Sequence, residues 1–249
     1  MYIVSKKLQL LVCCLVSSSI TFCQGNSRPI SIGLETGTLV YQGDLVPSMA
    51  GSFRNVKPLF GVNISKQFFP HFALKASLFK GQIGADESVY TDPAWRQLRA
   101  FQFQTPVTEF STVVVFDFAD QSLDQTKRLT PYLFAGLGLS FLKVNRDWSN
   151  INLAAFDPKS STLLGLGIDT LKNTPKVLPV IPIGAGLRYA LNERWSLQSE
   201  LGFRLTMSDY MDGFSKSGNP VAKDFYYALK LGISYQFGSN GIKCPPAKR

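Results

Sequence analysis

The amino-acid sequence predicts an all-β chain, an eight-stranded antiparallel up-and-down transmembrane β-barrel with short periplasmic turns and long external loops. Three observations predict it. First, Phe225 to Phe237 alternates without a break: the odd positions are Phe225, Tyr227, Leu229, Leu231, Ile233, Tyr235 and Phe237, and the even ones are Tyr226, Ala228, Lys230, Gly232, Ser234 and Gln236. Period-two alternation gives a strand one apolar and one polar face, and a tilted bilayer crossing needs roughly 9–11 such residues. Second, the aromatics at both ends of this segment match the girdles where a barrel meets the two membrane interfaces. Third, the pattern recurs along the chain to give an even number of strands, while the N-terminal apolar stretch is too short for a membrane helix and no other stretch supplies the roughly 18 continuous apolar residues one needs.

The N-terminus supplies a route to a membrane. Lys6 and Lys7 form a positive region, Leu8 to Val16 is a short apolar stretch, and small and polar residues run from Ser17 to Cys23. Together they predict a secretory signal peptide over residues 1–23. The barrel is then expected over 24–238 and a basic periplasmic tail over 239–249.

The strands follow in order. In the first, Ile30, Ile32, Leu34 and Val40 share the apolar face with Thr36 and Thr38, which makes it the weakest pattern. Phe60, Val62, Ile64 and Phe68 oppose Gly61, Asn63, Ser65 and Gln67, and Phe72, Leu74, Ala76 and Leu78 oppose Ala73, Lys75, Ser77 and Phe79. Phe110, Thr112, Val114, Phe116 and Phe118 alternate with Glu109, Ser111, Val113, Val115 and Asp117. Leu133 to Phe141 does the same against Tyr132, Phe134, Gly136, Gly138 and Ser140. Ile181 to Tyr189, Trp195 to Thr206 and Phe225 to Phe237 complete the set. Short connections at 69–71, 119–129 and 191–194 alternate with long ones at 42–56, 82–105, 144–179 and 207–224, the arrangement of an outer-membrane barrel.

Parity assigns the other face to the lumen. It carries Glu35, Glu109, Asp117 and Glu200 against Lys75, Arg188, Arg204 and Lys230, four acids and four bases. An eight-stranded barrel is just wide enough for side chains to fill it, and a charge there is tolerable only when paired. These residues are therefore expected to form a structural charge network rather than an open pore. The pairs Gly136/Gly138 and Gly184/Gly186 lie inside strands, where inward glycines relieve crowding, and no helix follows them to receive a phosphate.

Composition narrows the function classes. The chain has 26 Lys+Arg against 17 Asp+Glu, but the charges are scattered, which gives no nucleic-acid stripe. The single histidine, His71, sits in the turn Phe69-Pro70-His71 without a neighbouring nucleophile, so no hydrolase site is expected and no catalytic, cofactor or metal residue is assigned. Asp209 and Asp212 are expected in a solvated loop. Once the signal segment is removed, Cys244 stands alone, which excludes an internal disulfide or a cysteine metal site.

Several segments resemble one family, the eight-stranded outer-membrane barrel of the type IX (Por) secretion system of Bacteroidetes and its paralogues. They are Tyr41-Gln42-Gly43-Asp44-Leu45 after the first strand, Gly84-Ala85-Asp86 opening the second long loop, Thr130 to Gly136, Leu191 to Trp195, Ser208-Asp209-Tyr210-Met211-Asp212, and Lys243-Cys244-Pro245. The resemblance implies a non-enzymatic barrel, without cofactor, that anchors a periplasmic ring of a lipoprotein and its partner to the outer membrane. The alternative is a general small outer-membrane barrel for envelope integrity or adhesion, outside the secretion system. In either case both mature termini are expected in the periplasm. There Cys244, beside Lys243, either pairs with a partner through a disulfide or stays an unpaired tail cysteine.

Overall fold

The computed structural model describes residues 29–48, 51, 53–119, 129–206, 211–217 and 224–238. The expected signal peptide and the tail with Lys243 and Cys244 lie outside these residues. Nine strands follow one another: β1 (Ile30–Gln42), β2 (Lys57–Phe69), β3 (Phe72–Asp86), β4 (Gln102–Asp117), β5 (Leu129–Leu142), β6 (Asn145–Asp147), β7 (Val177–Ala190), β8 (Trp195–Thr206) and β9 (Phe225–Phe237). Among the described residues two α-helices, α1 (Trp95–Arg99) and α2 (Ser161–Leu171), lie in the second and third long connections.

Eight of the strands form a closed antiparallel ring, β1-β2-β3-β4-β5-β7-β8-β9. It closes where β1 pairs with β9, from Ile30↔Phe237 to Gln42↔Phe225. Closure satisfies every edge, which is what a sheet needs where no water can hydrogen-bond to it. The short strand β6 adds only to the start of β4, against Gln102–Gln104.

The faces are inverted relative to a soluble barrel. On the outside Leu34, Leu137 and Leu231 are 62%, 70% and 64% exposed, whereas the inward Glu35 and Lys230 are 6% and 5% exposed. A wall with its leucines outside and its charges inside is a lipid-facing wall. At the short-turn end an aromatic girdle surrounds it, with Trp195–Tyr235 ring centroids 5.0 Å apart, Tyr235–Phe237 4.8 Å and Phe72–Phe116 5.2 Å. Among the described residues no helix is long and apolar enough to cross a membrane.

The β3–β4 hairpin is longer than its sequence pattern suggests. Gly84-Ala85-Asp86 does not open a loop; it ends β3, which pairs with β4 as far as Asp86↔Gln102. Over this extension the faces swap. Ile83, Ala85, Phe103 and Val107 are buried on the inside, and on the outside the Gln104 amide donates to Gln82 at 2.7 Å. The extension is a soluble-type sheet, its polar side out, standing on a membrane-type one.

Candidate functional site

The eight charges assigned to the lumen all lie there, in three layers. Nearest the short turns, the Arg188 guanidinium donates to Asp117 at 2.8 Å. Ser31, Ser65, Ser196 and Gln236 line a polar vestibule of about 30 Å³ beside them. His71 meets the backbone carbonyl of Asp117 through Nδ1 at 2.9 Å, and its ring lies 6.0 Å from that of Phe116.

The middle layer joins four charges. Glu200 pairs with Lys75 and, at 2.9 Å, with Lys230, which also donates to Glu35 at 3.0 Å. The Lys230 contact to Glu200 is an ion pair rather than an aligned hydrogen bond. Glu200 and Lys230 are direct cross-strand partners of β8 and β9, the geometry in which opposite charges attract best across a sheet. Tyr132 donates its hydroxyl to Glu200 at 2.7 Å, and Asn63 donates to Glu35 at 3.1 Å.

In the upper layer the Arg204 Nε lies 3.3 Å from Glu109, and Tyr226 donates to the same carboxylate at 2.6 Å. Aromatic faces back the cations: Lys75 lies 5.5 Å from the Phe134 ring centroid and Arg204 lies 5.3 Å from that of Phe79, contacts that add cation–π attraction in a desolvated site. Glycine makes the room. A Cβ on Gly184 would stand 2.7 Å from the Gly202 Cα, and one on Gly136 would stand 2.6 Å from the Val113 Cα.

Above these layers the mouth is filled. Leu39, Leu59, Phe79, Ile83, Phe101, Met211 and Phe214 belong to one buried cluster that runs from the upper lumen into the loops. Phe101 and Phe214 stack with centroids 4.5 Å apart. Three polar knots tie the loops together. Glu87, which is fully buried, accepts from Arg96 at 2.9 Å and from Arg99 at 2.7 and 2.5 Å, and Arg99 donates onward to the Ser217 carbonyl at 2.9 Å. Burial pulls the Arg96 guanidinium below its usual range against the pull of Glu87. Asp169 of α2 accepts from the backbone N–H groups of Ser215, Lys216 and Ser217 at 3.1, 3.0 and 2.9 Å.

The third knot corrects an expectation. Asp212 is not in a solvated loop: it is fully buried and accepts from the Phe214 N–H at 2.8 Å. The Tyr41 hydroxyl lies 2.7 Å from Asp212 and 2.6 Å from Asp224. A phenol carries one hydrogen, so the second contact requires a carboxyl proton. Burial, then the charge of Asp224, pushes the Asp212 carboxyl well above the usual carboxylate range. The cap residues Glu87, Arg96, Arg99 and Asp169 went unseen in the sequence. At the start of α2 the Ser160 hydroxyl oxygen accepts from the Leu163 N–H at 3.4 Å, the bond of a serine N-cap.

No curated protein matches the chain. Among solved structures it is similar to Ail, the attachment invasion locus protein of Yersinia pestis, in complex with the heparin analogue sucrose octasulfate. That match has 13% identity over 85% of this chain and 99% of the other, with a TM-score of 0.45. It is also similar to Neisserial surface protein A, with 13% identity, 84% and 97% coverage and a TM-score of 0.46. The outer membrane protein OprG from Pseudomonas aeruginosa follows, with 11% identity, 87% and 99% coverage and a TM-score of 0.42. Residues 6–246 match the family described as a domain of unknown function, DUF6089, and the chain therefore belongs to the DUF6089 family.

Proposed function

We propose that this chain is a non-conducting, non-enzymatic outer-membrane barrel that works through its surfaces, in envelope integrity or adhesion. One observation carries the proposal: the lumen charges are paired within the wall and the loop-side mouth is packed shut by a cross-bonded cap. Among the described residues such an interior leaves no path for a solute, and each of its acids and bases has a partner. The loop face remains as the place where a partner is met. Short turns lie in the periplasm and long loops outside. The test is a deletion strain, scored for detergent sensitivity and surface binding and complemented with the wild-type chain. Intact barrier and binding after deletion would refute the proposal. Single-channel recording of the reconstituted barrel should show no steady open conductance.

The path of the chain favours a second reading, anchorage of a periplasmic secretion ring. Ile30 and Phe237 are register partners at the short-turn end, so the chain leaves the wall there, and Lys243 and Cys244 follow in sequence. A ring lipoprotein held by Lys243 and by a Cys244 disulfide would co-purify with the native barrel. Recovery of the barrel alone, with no reducible heavier band that Cys244→Ala removes, counts against anchorage.

A further inference from the structure

The outer wall is not uniformly packed. Across β9, β1, β2 and β3 runs a groove of about 870 Å³, walled by Leu34, Val62, Leu78 and Ile233, within the roughly 300–1,000 Å³ of ordinary ligand sites. Its floor comes from a side chain that is short where the neighbouring strands carry long ones. Thr36 stands between Phe60 and Leu231 in the register. The Thr36 hydroxyl donates to the Leu59 carbonyl at 3.1 Å, so its polar atom is satisfied by the wall and its methyl is left for the groove.

One end of the groove is charged. Lys80 and Thr108 are register partners on its margin. Below them the outer face carries Leu78 and Phe110, and above them it carries Gln82 and Gln104. Lys80 therefore stands where the wall passes from lipid to the polar interface, and its aliphatic stem can lie on Phe60 while the ammonium reaches out.

We propose that this groove seats an acyl chain of a phosphorylated lipid from the leaflet on the loop side, with its phosphate on the Lys80 ammonium and the Thr108 hydroxyl. The apolar trench, the single cation at its interfacial end and its continuity with the lipid-facing wall select this occupant over a protein helix or a second copy of the chain. The proposal rests on the lipid-facing reading of the wall. The test uses barrel reconstituted in vesicles of phosphatidylethanolamine with phosphatidylglycerol, then extracted in mild detergent for native mass spectrometry. One retained phospholipid per barrel is expected.

Lys80→Met should lower retention about fivefold, the effect of removing roughly one interfacial lysine interaction. Thr36→Phe, which fills the floor, should abolish it, and Lys66→Met at the opposite girdle should leave it unchanged. Equal retention by Lys80→Met and wild type overturns the proposal, as does a lipid-free monomer or a lipid-free dimer. Heat-modifiable mobility of the same samples separates the two levels: a barrel that inserts and retains nothing refutes the groove alone, and one that does not insert refutes the wall as well.

Discussion

Replacing Glu200 with Gln tests whether the lumen charges are coupled as the geometry states. Of the four lumen acids, Glu200 is the one shared by two cations, Lys75 and Lys230, and it also accepts from Tyr132. Glu35, Lys75, Glu200 and Lys230 are neutral as a group; the substitution leaves one positive charge in excess. Lys230 keeps Glu35 at 3.0 Å, so Lys75 bears the loss. Breaking a buried pair by removing one partner costs about 3–5 kcal/mol, because the remaining charge is left desolvated. Asp117→Asn offers a measure of burial: the Arg188 side chain keeps 16% of its surface beside the vestibule, against 5% for Lys75, so water can rescue it and the cost should fall toward the roughly 1 kcal/mol of a solvated pair. The double variant Glu200→Gln/Lys75→Gln restores neutrality and should recover at least half the loss. Urea unfolding of vesicle-inserted barrel, followed by tryptophan fluorescence, reads these values provided the slope with urea is unchanged. The reasoning fails if Glu200→Gln costs less than Asp117→Asn, or if the double variant is no more stable than the single one.

The cap should tighten as pH falls. The Asp212 carboxyl is raised in the folded state, so its contribution to stability is fully present below the unfolded carboxylate pKa and is lost as pH rises through the folded value, by up to about 1.4 kcal/mol per pH unit in between. Hydrogen exchange at the Phe214 amide, corrected for intrinsic rate, should therefore show protection falling from pH 5 to 8, and Asp212→Asn should flatten the trend. Phe101→Ala removes the fully buried partner of Phe214 and should cost about 3–5 kcal/mol, all of it in the cap. Limited proteolysis should then cut the loops while heat-modifiable mobility persists. Gly136→Val drives a side chain against the β4 backbone near Val113, and no folded, heat-modifiable species should form.

Alternation made the barrel legible in the sequence, and its parity made the lumen legible too. Once Phe225 to Phe237 had an outside, Lys230 had an inside, and Glu35, Lys75, Glu109 and Arg204 followed by counting in twos. What stayed hidden lies above the membrane. The β3–β4 extension keeps period two, but Ile83 and Ala85 point in where Lys75 and Ser77 do below, so a search for a fixed apolar side sees the pattern dissolve after Leu78. The cap knots have no period at all. Glu87, Arg96 and Arg99 meet because α1 ends in a left-handed residue, Ala100 at φ 47°, and Asp169 reaches Ser217 across 48 residues. Those contacts are set by how loops close, and local pattern does not carry that.

The inversion has a single physical cause, and it places the membrane surface. Inside a bilayer an inward leucine gains nothing over an outward one, since lipid is as apolar as a protein core. An apolar lumen would leave the wall free to slip by one residue and turn inside out. Paired charges remove that freedom, because a slip would put Lys75 or Glu200 into lipid at about 2.5–3.5 kcal/mol or more apiece. Above the bilayer water surrounds the wall, hydrophobic burial drives folding again, and Ile83, Phe101 and Phe214 turn inward while Gln82 and Gln104 face out. The two regimes meet where the inner face changes from Glu109 to Val107 and the outer face from Phe110 to Lys80 and Thr108. That the inner and outer faces of the β3–β4 hairpin switch at one level, along strands that run through it unbroken, is what a change of solvent at the level of Lys80 would impose.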